Sequence, residues 1–582
     1  MNFAIARTRC GSNGSIFFSC LSTMSSADET SPLSQGMLTS GLVLRIIGVI
    51  CAHYVLWFLY RLYVVRSLFR SVARDYGVPI LPHSFLMGHL IEVGKLVQSL
   101  PPNTSGMYFP LMFARKYPEM FKEGVVYLDT WPFGPPMMAV IHPDMMAQFT
   151  QEKSMPKYEL MKWEFAPLTG LNDLVNQEGQ VWKMWRGIFN PGFSLRNILS
   201  FVPEIIEEVE VFKERLRELA ASGGAVAEFE QPAMKLTMDV IGRVTLNTRM
   251  CVQTTNNPMY DSLRALLKWL ITDHSPANML KAINPARPLI IWYHNRVMNN
   301  YLKPFIQQAM SSSTSGSENR KTIVSLAAKA FRDAKKASAA ATAENEDKDD
   351  DDDGVAFLDM AISQMKMFLF AGHETTAVTL NYAYHLLHSN PDALRRIRAE
   401  HDEVLGPNRD RAAERLVEKP QLLNALPYTS AVIKETLRLY APVGSIRQGS
   451  KDLVLTHPET GRRYPTDGFM LYSNSMGSHR WGANCGDPDA FRPDRWLADA
   501  PPMRRHAYRP FELGPRNCIG QELAQLELRT ILALTLRDFD VETALDPDGP
   551  SVFGDVCYQS FTSNDQTGKP VGGAPFRVRL RR

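Results

Sequence analysis

The chain has 582 residues, 45% of them hydrophobic, and a formal charge of +3 at pH 7. That length could hold several domains, and the charge balance gives no electrostatic case for a nucleic-acid binder. The seven cysteines, Cys10, Cys20, Cys51, Cys251, Cys485, Cys518 and Cys557, are odd in number and scattered, without a C-x-x-C pair, which argues against a disulfide framework or a paired-cysteine zinc site and puts the main body in a reducing compartment.

Residues 1–36 are rich in serine and other polar residues. They are expected to be a disordered extension or the product of an over-extended translation start, with Met24 and Met37 as alternative starts. Arg7 and Arg9 also fit a mitochondrial presequence, although an apolar run follows directly. That run, Met37 to Tyr60, reads as one membrane-spanning helix: 24 residues reach about 36 Å at 1.5 Å each. Arg45 has to snorkel or pair. Arg61, Arg66, Arg70 and Arg74 follow, and the positive-inside rule puts the body of the chain on the cytosolic side. A signal peptide is the competing reading and conflicts with the cysteine pattern. Residues 61–92 form a basic, proline-containing linker, with Pro79, Pro82 and Gly88 in a stiff connector.

Residues 93–582 read as one unit, mainly α with a smaller β-rich part. Trp182 and Arg186, four apart, share a helical face. Ser194 to Leu219 and Gln231 to Leu246 are further amphipathic helices. Residues 311–354 change character: a serine-rich start and an acidic run from Glu344 to Asp353 read as an insertion. The consecutive aspartates suit a solvated, self-repelling loop better than a metal cage.

Phe357 to Ser389 is the longest helical pattern, centred on Ala371-Gly372-His373-Glu374-Thr375-Thr376. A glycine and two threonines are unfavourable in mid-helix and call for a packing or functional reason, such as a widened groove in which a hydroxyl competes for a backbone carbonyl. The zinc-protease pattern H-E-x-x-H fails, because position 377 is Ala377. Glu435 and Arg438 lie three apart on a helix, with Arg495 in the later segment Phe491 to Trp496. Last comes Phe511-Glu512-Leu513-Gly514-Pro515-Arg516-Asn517-Cys518-Ile519-Gly520, before a helical run from Glu522 to Leu536. A cysteine between glycines at a helix N-terminus has backbone donors for a thiolate. Gly514 and Gly520 allow close approach of a flat ligand, Arg516 can pair with a carboxylate on it, and Phe511 can shield the sulfur.

This stretch matches all five fixed positions of the Phe-x-x-Gly-x-Arg-x-Cys-x-Gly signature, and with the other motifs in order the chain resembles the cytochrome P450 family of haem-thiolate monooxygenases over residues 37–582. The resemblance implies the P450 fold behind an N-terminal transmembrane helix, with residues 61–92 similar to the proline-rich hinge of microsomal members. It implies haem b ligated by Cys518; propionates held by Trp182, Arg186, Arg447 and Arg516, with His479-Arg480 nearby; and Phe511 and Gly520 around the cofactor. Glu374 and Thr375 match the oxygen-activation motif as proton-relaying groups. Glu435, Arg438 and Arg495 match a structural charge cluster.

The chain shows no G-x-G-x-x-G fingerprint, so the resemblance implies NADPH electrons from a separate flavoprotein reductase, with cytochrome b5 as a further donor, and Arg504, Arg505 and Arg509 as a docking patch. It also implies a single-pass endoplasmic reticulum protein with a cytosolic catalytic domain. Substrate contacts are expected at Met155 to Asn176, Phe368 to Thr376, Ala441 to Ile446 and Cys557 to Thr562, which suit a lipophilic molecule. Trp185 to Ser194 and Ala371 to Thr376 are similar to filamentous-fungal members acting on polyketide-type secondary metabolites; fatty acids, terpenes and xenobiotics stay open. The alternatives are a haem-thiolate isomerase or dehydratase and a non-catalytic haem-binding membrane protein; the Glu374-Thr375 pair argues against both.

Overall fold

The computed structural model describes residues 32–271, 276–311, 320–341, 350–561 and 567–581. The extension expected at 1–36 falls outside these up to residue 31. The elements that position the site are helices α1 (Pro32–Tyr76), α2 (Glu159–Thr169), α3 (Gly179–Phe189), α4 (Glu230–Leu246), α5 (Pro258–Leu267), α6 (Arg287–Ser311), α7 (Ile323–Ala341), α8 (Asp350–Ser389), α9 (Pro427–Leu439) and α10 (Gln521–Thr535). A four-stranded sheet runs β1 (Val125–Leu128), β2 (Met137–Val140), β4 (Met470–Ser473), β3 (Ser445–Gln448); β2 and β4 are parallel and the other pairs antiparallel. A C-terminal hairpin pairs β5 (Gln559–Ser560) with β6 (Lys569–Pro570).

The α-helical core is built around α8. Residues 361–370 and 376–387 of this helix are buried all round, which is why its sequence lacks a clean amphipathic stripe. Its principal partner is α4, and the two can approach closely because Gly372 carries no side chain: a Cβ there would stand 2.6 Å from Ile241 Cγ1. The helix is continuous through Gly372 and both threonines, so the expected widening does not appear as a break. Hydroxyl donors nevertheless reach its carbonyls. Thr375 donates to Ala371 O at 3.0 Å, Thr379 to Thr375 O at 2.8 Å, and Thr237 of α4 to His373 O at 2.7 Å.

The structure corrects two boundaries. First, the anchor helix does not give way to a linker at residue 61. α1 runs unbroken to Tyr76; residues 42–61 are exposed, and Leu62, Val65 and Phe69 are buried against the body. Arg66 is no free flanking charge. It is fully buried, paired with Asp129, and donates to Phe85 O (3.2 Å), Leu86 O (3.1 Å) and Trp131 O (3.0 Å). Second, the polar tract 311–354 contains a packed helix, α7, with Ile323, Val324 and Ala327 buried. Asp350 already belongs to α8, where acidic residues suit a helix N-terminus. Residues 312–319 and 342–349 lie outside the described residues.

Candidate active site

Cys518 opens the last turn before α10. Its amide donates to Phe511 O at 2.8 Å, closing the loop Phe511–Cys518 on itself. Gly514 sits at φ +92°, and a Cβ there would collide with Thr150 O, so this turn needs glycine. Gly520 leaves its Cβ position at 3.9 Å from Cys518 Sγ. The thiol shows accessible surface, yet burial raises its pKa, opposed by the Gly520 amide and the Arg186 charge. Surface on a group enclosed by protein is the wall of an internal cavity. Ala371 behaves likewise: it is exposed in the middle of the buried helix α8, and Thr375, one turn on, is half-buried. Phe511 packs partly buried against the main core.

The arginines expected to hold carboxylates fall into two groups. Arg447, on β3, is fully buried with Nε and Nη2 unpartnered among the described residues, while its Nη1 donates to Ser445 Oγ at 2.6 Å. A buried guanidinium with two idle donors fits an anionic ligand group. Arg516 and Arg186 have protein partners. Arg516 donates to Gln177 O (2.9 Å), Val175 O (3.2 Å) and Glu178 (3.0 Å) and lies 4.5 Å over the Trp182 ring. Arg186 donates to Asn517 O (2.9 Å) and Oδ1 (2.8 Å), bracing the cysteine loop. Lys157 was not anticipated. Its ammonium is disfavoured by burial and then by the neighbouring charges of Arg447 and Arg516. Together the enclosed thiol, the idle Arg447 donors and this cationic cluster fit a flat iron porphyrin bearing propionates.

Glu374 is buried and paired. Its Oε1 stands 3.1 Å from Lys569 Nζ on β6 and 3.8 Å from Arg264 on α5, while Oε2 has no partner among the described residues. Lys569 also pairs with Glu230 at 2.9 Å. The preceding His373 is buried; burial and the Arg264 charge lower its pKa to about 3, so it is neutral.

Glu435, Arg438 and Arg495 come together in one buried cluster. Arg438 grips Glu435 with two bonds (2.8 and 2.9 Å), and Arg495 adds a third at 2.9 Å. Trp496 Nε1 donates to the same carboxylate at 2.9 Å, a contact the spacing of charges did not reveal. Arg438 also donates to His479 O (3.0 Å) and Ala490 O (2.8 Å), tying the meander before the cysteine loop to α9.

Several expectations need correction. His479 and Arg480 face the meander: His479 contacts Arg438 O (3.1 Å) and accepts from Arg509 N (2.9 Å), and Arg480 pairs with Asp489 at 2.8 Å. Arg509 is buried, and Arg504 pairs with Asp144 (2.7 Å) and Glu459 (3.3 Å), leaving Arg505 as the exposed member of the expected docking patch. Cys557 is buried among Val378, Tyr382 and Tyr440 and does not project; Thr562 lies outside the described residues.

Comparison with known proteins shows the family. The family model described as Cytochrome P450 matches residues 109–558. The chain is 37% identical over 502 residues to cytochrome P450 monooxygenase polC of Polytolypa hystricis, covering 86% of this chain and 87% of that protein. It is 32% identical over 495 residues to cytochrome P450 monooxygenase acrF of Aspergillus aculeatus, covering 79% of this chain and 95% of that one. Among solved structures, the heme domain of cytochrome P450DA superposes with a TM-score of 0.65 at 20% identity, covering 87% of this chain and 97% of that chain. The chain therefore belongs to the cytochrome P450 family and is a haem-thiolate monooxygenase that takes its electrons from a reductase partner.

Proposed function

We propose that this enzyme hydroxylates a C–H bond of a lipophilic polyketide-type metabolite in fungal secondary metabolism. It does so from the endoplasmic reticulum membrane, with its catalytic domain in the cytosol. NADPH–cytochrome P450 reductase and cytochrome b5 are the proposed electron donors. The observation that carries the reading is the intact Glu374–Thr375 pair, with Ala371, one turn before Thr375, exposed in the middle of the otherwise buried helix α8. An isomerase has little use for a proton relay at this position. The fungal origin of both relatives supports the setting.

Haem, when bound, supplies the oxygen chemistry, with Cys518 as its thiolate ligand. The chain's own residues prepare the site. Arg447 and Lys157, with Arg186, Arg516 and Trp182 beside them, would hold the propionates by charge-assisted hydrogen bonds. The Thr375 hydroxyl, which donates to Ala371 O at 3.0 Å, rotates to hold a proton at Oγ1 toward the cavity. Glu374 carries protons to it by swinging away from Lys569 and Arg264. Phe511 and the closed cysteine loop keep water from the sulfur.

Two measurements test the reading. Reduced, carbon monoxide-treated protein is expected to show a strongly red-shifted Soret band that Cys518→Ala abolishes. With reductase and NADPH, a panel of polyketides, fatty acids and terpenes is expected to yield oxygenated product from the polyketides alone; turnover confined to another class overturns the substrate assignment.

A further inference from the structure

We propose that Tyr382 and Tyr440 form a one-electron sink for the haem site, in which Tyr440 is oxidised and its phenolic proton passes to Asp555; the proposal rests on reading Cys518 as the haem ligand and is independent of the substrate. The two rings lie face to face, with centroids 4.1 Å apart and planes 3° from parallel. Aromatic pairs ordinarily settle offset or edge-on, about 4.5–7 Å apart. An overlap this close lets two π systems share a positive hole. Both phenols are buried, Tyr382 with 0% and Tyr440 with 1% exposure, where water does not reach a radical.

The two tyrosines differ in where a proton can go. The Tyr382 hydroxyl has no partner among the described residues, and a buried hydroxyl without one calls for a reason. The Tyr440 hydroxyl donates to Asp555 Oδ2. The other carboxylate oxygen stands 2.8 Å from His385 Nε2 and accepts from Cys557 N at 2.8 Å. Burial raises the Asp555 pKa, but the bonds from His385 and Tyr440 outweigh it, and the net value lies below the usual one. Asp555 is therefore ionised and can take up a proton, because a tyrosine that has lost an electron is a far stronger acid than a carboxyl group. With 23% of its side chain exposed, Asp555 also reaches solvent. Arg480 stands 5.7 Å over the Tyr440 ring and disfavours a radical cation, so electron and proton have to leave together.

Position links the pair to the site. Ala371, Thr375, Val378 and Tyr382 succeed one another on α8 at helical spacing and share one face. The face on which Ala371 is exposed thus carries Tyr382 two turns beyond Thr375, about 10.5 Å along the axis at 1.5 Å per residue. Val378 packs in one cluster with both tyrosines. The step balances. When oxidised haem finds no substrate, Tyr440 gives it one electron and gives its proton to Asp555. The Tyr440 O–H bond breaks, an Asp555 O–H bond forms, haem is reduced by one electron, and a neutral phenoxyl radical remains. One electron from the reductase partner, with the proton held by Asp555, restores the phenol.

The test is rapid freeze-quench electron paramagnetic resonance of the substrate-free ferric holoprotein mixed with peracetic acid. The parent is expected to show a tyrosyl radical whose high-field spectrum has the lowered gx of a hydrogen-bonded phenoxyl oxygen, because protonated Asp555 donates back to it. Tyr440→Phe is expected to reduce the signal at least fivefold and to bleach haem at least threefold faster, with the carbon monoxide spectrum unchanged. Asp555→Asn, which cannot take the proton, is expected to reduce the signal at least threefold. The control Tyr384→Phe alters a buried tyrosine of the same helix whose hydroxyl meets Thr535 Oγ1 at 2.7 Å, and is expected to keep the signal. No tyrosyl radical in the parent, a phenoxyl without a hydrogen bond, an undiminished signal in Tyr440→Phe or Asp555→Asn, or an equal loss in Tyr384→Phe overturns the sink and leaves the haem ligand standing. A chain without the red-shifted carbon monoxide band overturns both readings.

Discussion

Lys569 Nζ stands 3.1 Å from the carboxylate of Glu374 and 2.9 Å from that of Glu230, so one C-terminal lysine neutralises two buried acids from α8 and α4. Removing one partner of a buried pair is costly because the other charge is left uncompensated, about 3–5 kcal/mol. Lys569→Met is therefore expected to lose stability of that order in urea unfolding of the holoprotein. If Lys569 acts through Glu374, the loss in a Glu374→Gln background is smaller by 1 kcal/mol or more. An additive result refutes the link.

Arg447 gives a cofactor prediction. Its Nε and Nη2 are buried without partners among the described residues, a cost of about 1–3 kcal/mol for an unmade bond. A haem propionate would relieve it in the proposed site. Arg447→Met is expected to release haem to apomyoglobin at least tenfold faster, with the fold retained by circular dichroism. Unchanged release places the propionates elsewhere.

The Glu435 carboxylate receives Arg438, Arg495 and Trp496 in a fully buried setting. Burial raises its pKa, the paired arginines more than offset this, and the net result lies below the usual value. Glu435→Gln keeps the shape and leaves two cations short of a counter-charge. It is expected to cost about 3–5 kcal/mol and to lower the yield of thiolate-ligated haem, read as the carbon monoxide band per mole of protein. Full recovery of that band would make the cluster dispensable for holding the cysteine loop.

How much of this was legible in sequence depended on range. Cys518, Glu435 and Arg438 were readable because their partners lie within a turn or a short loop, where spacing dictates geometry. Lys157 beside Arg447, Thr237 under His373 and Lys569 against Glu374 depend on how α4, α8 and the C-terminal hairpin pack, and no local spacing encodes that. Arg66 misled for the same reason: a basic residue after an apolar run reads as a flanking charge, and only the fold shows Asp129 beside it. The tract 311–354 read as irregular because its polar and acidic ends obscured the short apolar series Ile323, Val324, Ala327 of α7.

Lys366 sets a pH dependence. It is buried on α8 with two neutral acceptors, Asn295 Oδ1 at 2.6 Å and Leu168 O at 3.3 Å. Burial lowers its pKa to about 7. The unfolded chain keeps this proton up to about pH 10.4, so above pH 7 the unfolded state binds more protons and stability rises with pH, by at most about 1.4 kcal/mol per unit from this group. Urea unfolding between pH 7 and 9.5 is expected to show this rise in the parent and a flatter profile in Lys366→Met. Parallel profiles would mean that the ammonium is solvated.

Gly372 tests the close approach at the heart of the site. A Cβ there would meet Ile241 Cγ1 at 2.6 Å and Cδ1 at 2.8 Å, and overpacking of this kind costs about 1–3 kcal/mol. Alanine is the better helix former by about 1 kcal/mol, so the net loss for Gly372→Ala measures how firmly α4 and α8 are held together. Trimming the opposing residue in Ile241→Ala removes the two nearest atoms at its own cavity cost and leaves only Cβ, at 3.1 Å. The double variant is expected to be more stable than the sum of the singles by at least 1 kcal/mol. The same displacement would pull Thr237 away from His373 O, now 2.7 Å away, and disturb the turn that carries Glu374 and Thr375. Lower turnover in Gly372→Ala, restored in the double variant, would show that helix spacing sets the geometry of the relay; restored stability without restored turnover would show that the glycine is there for packing alone.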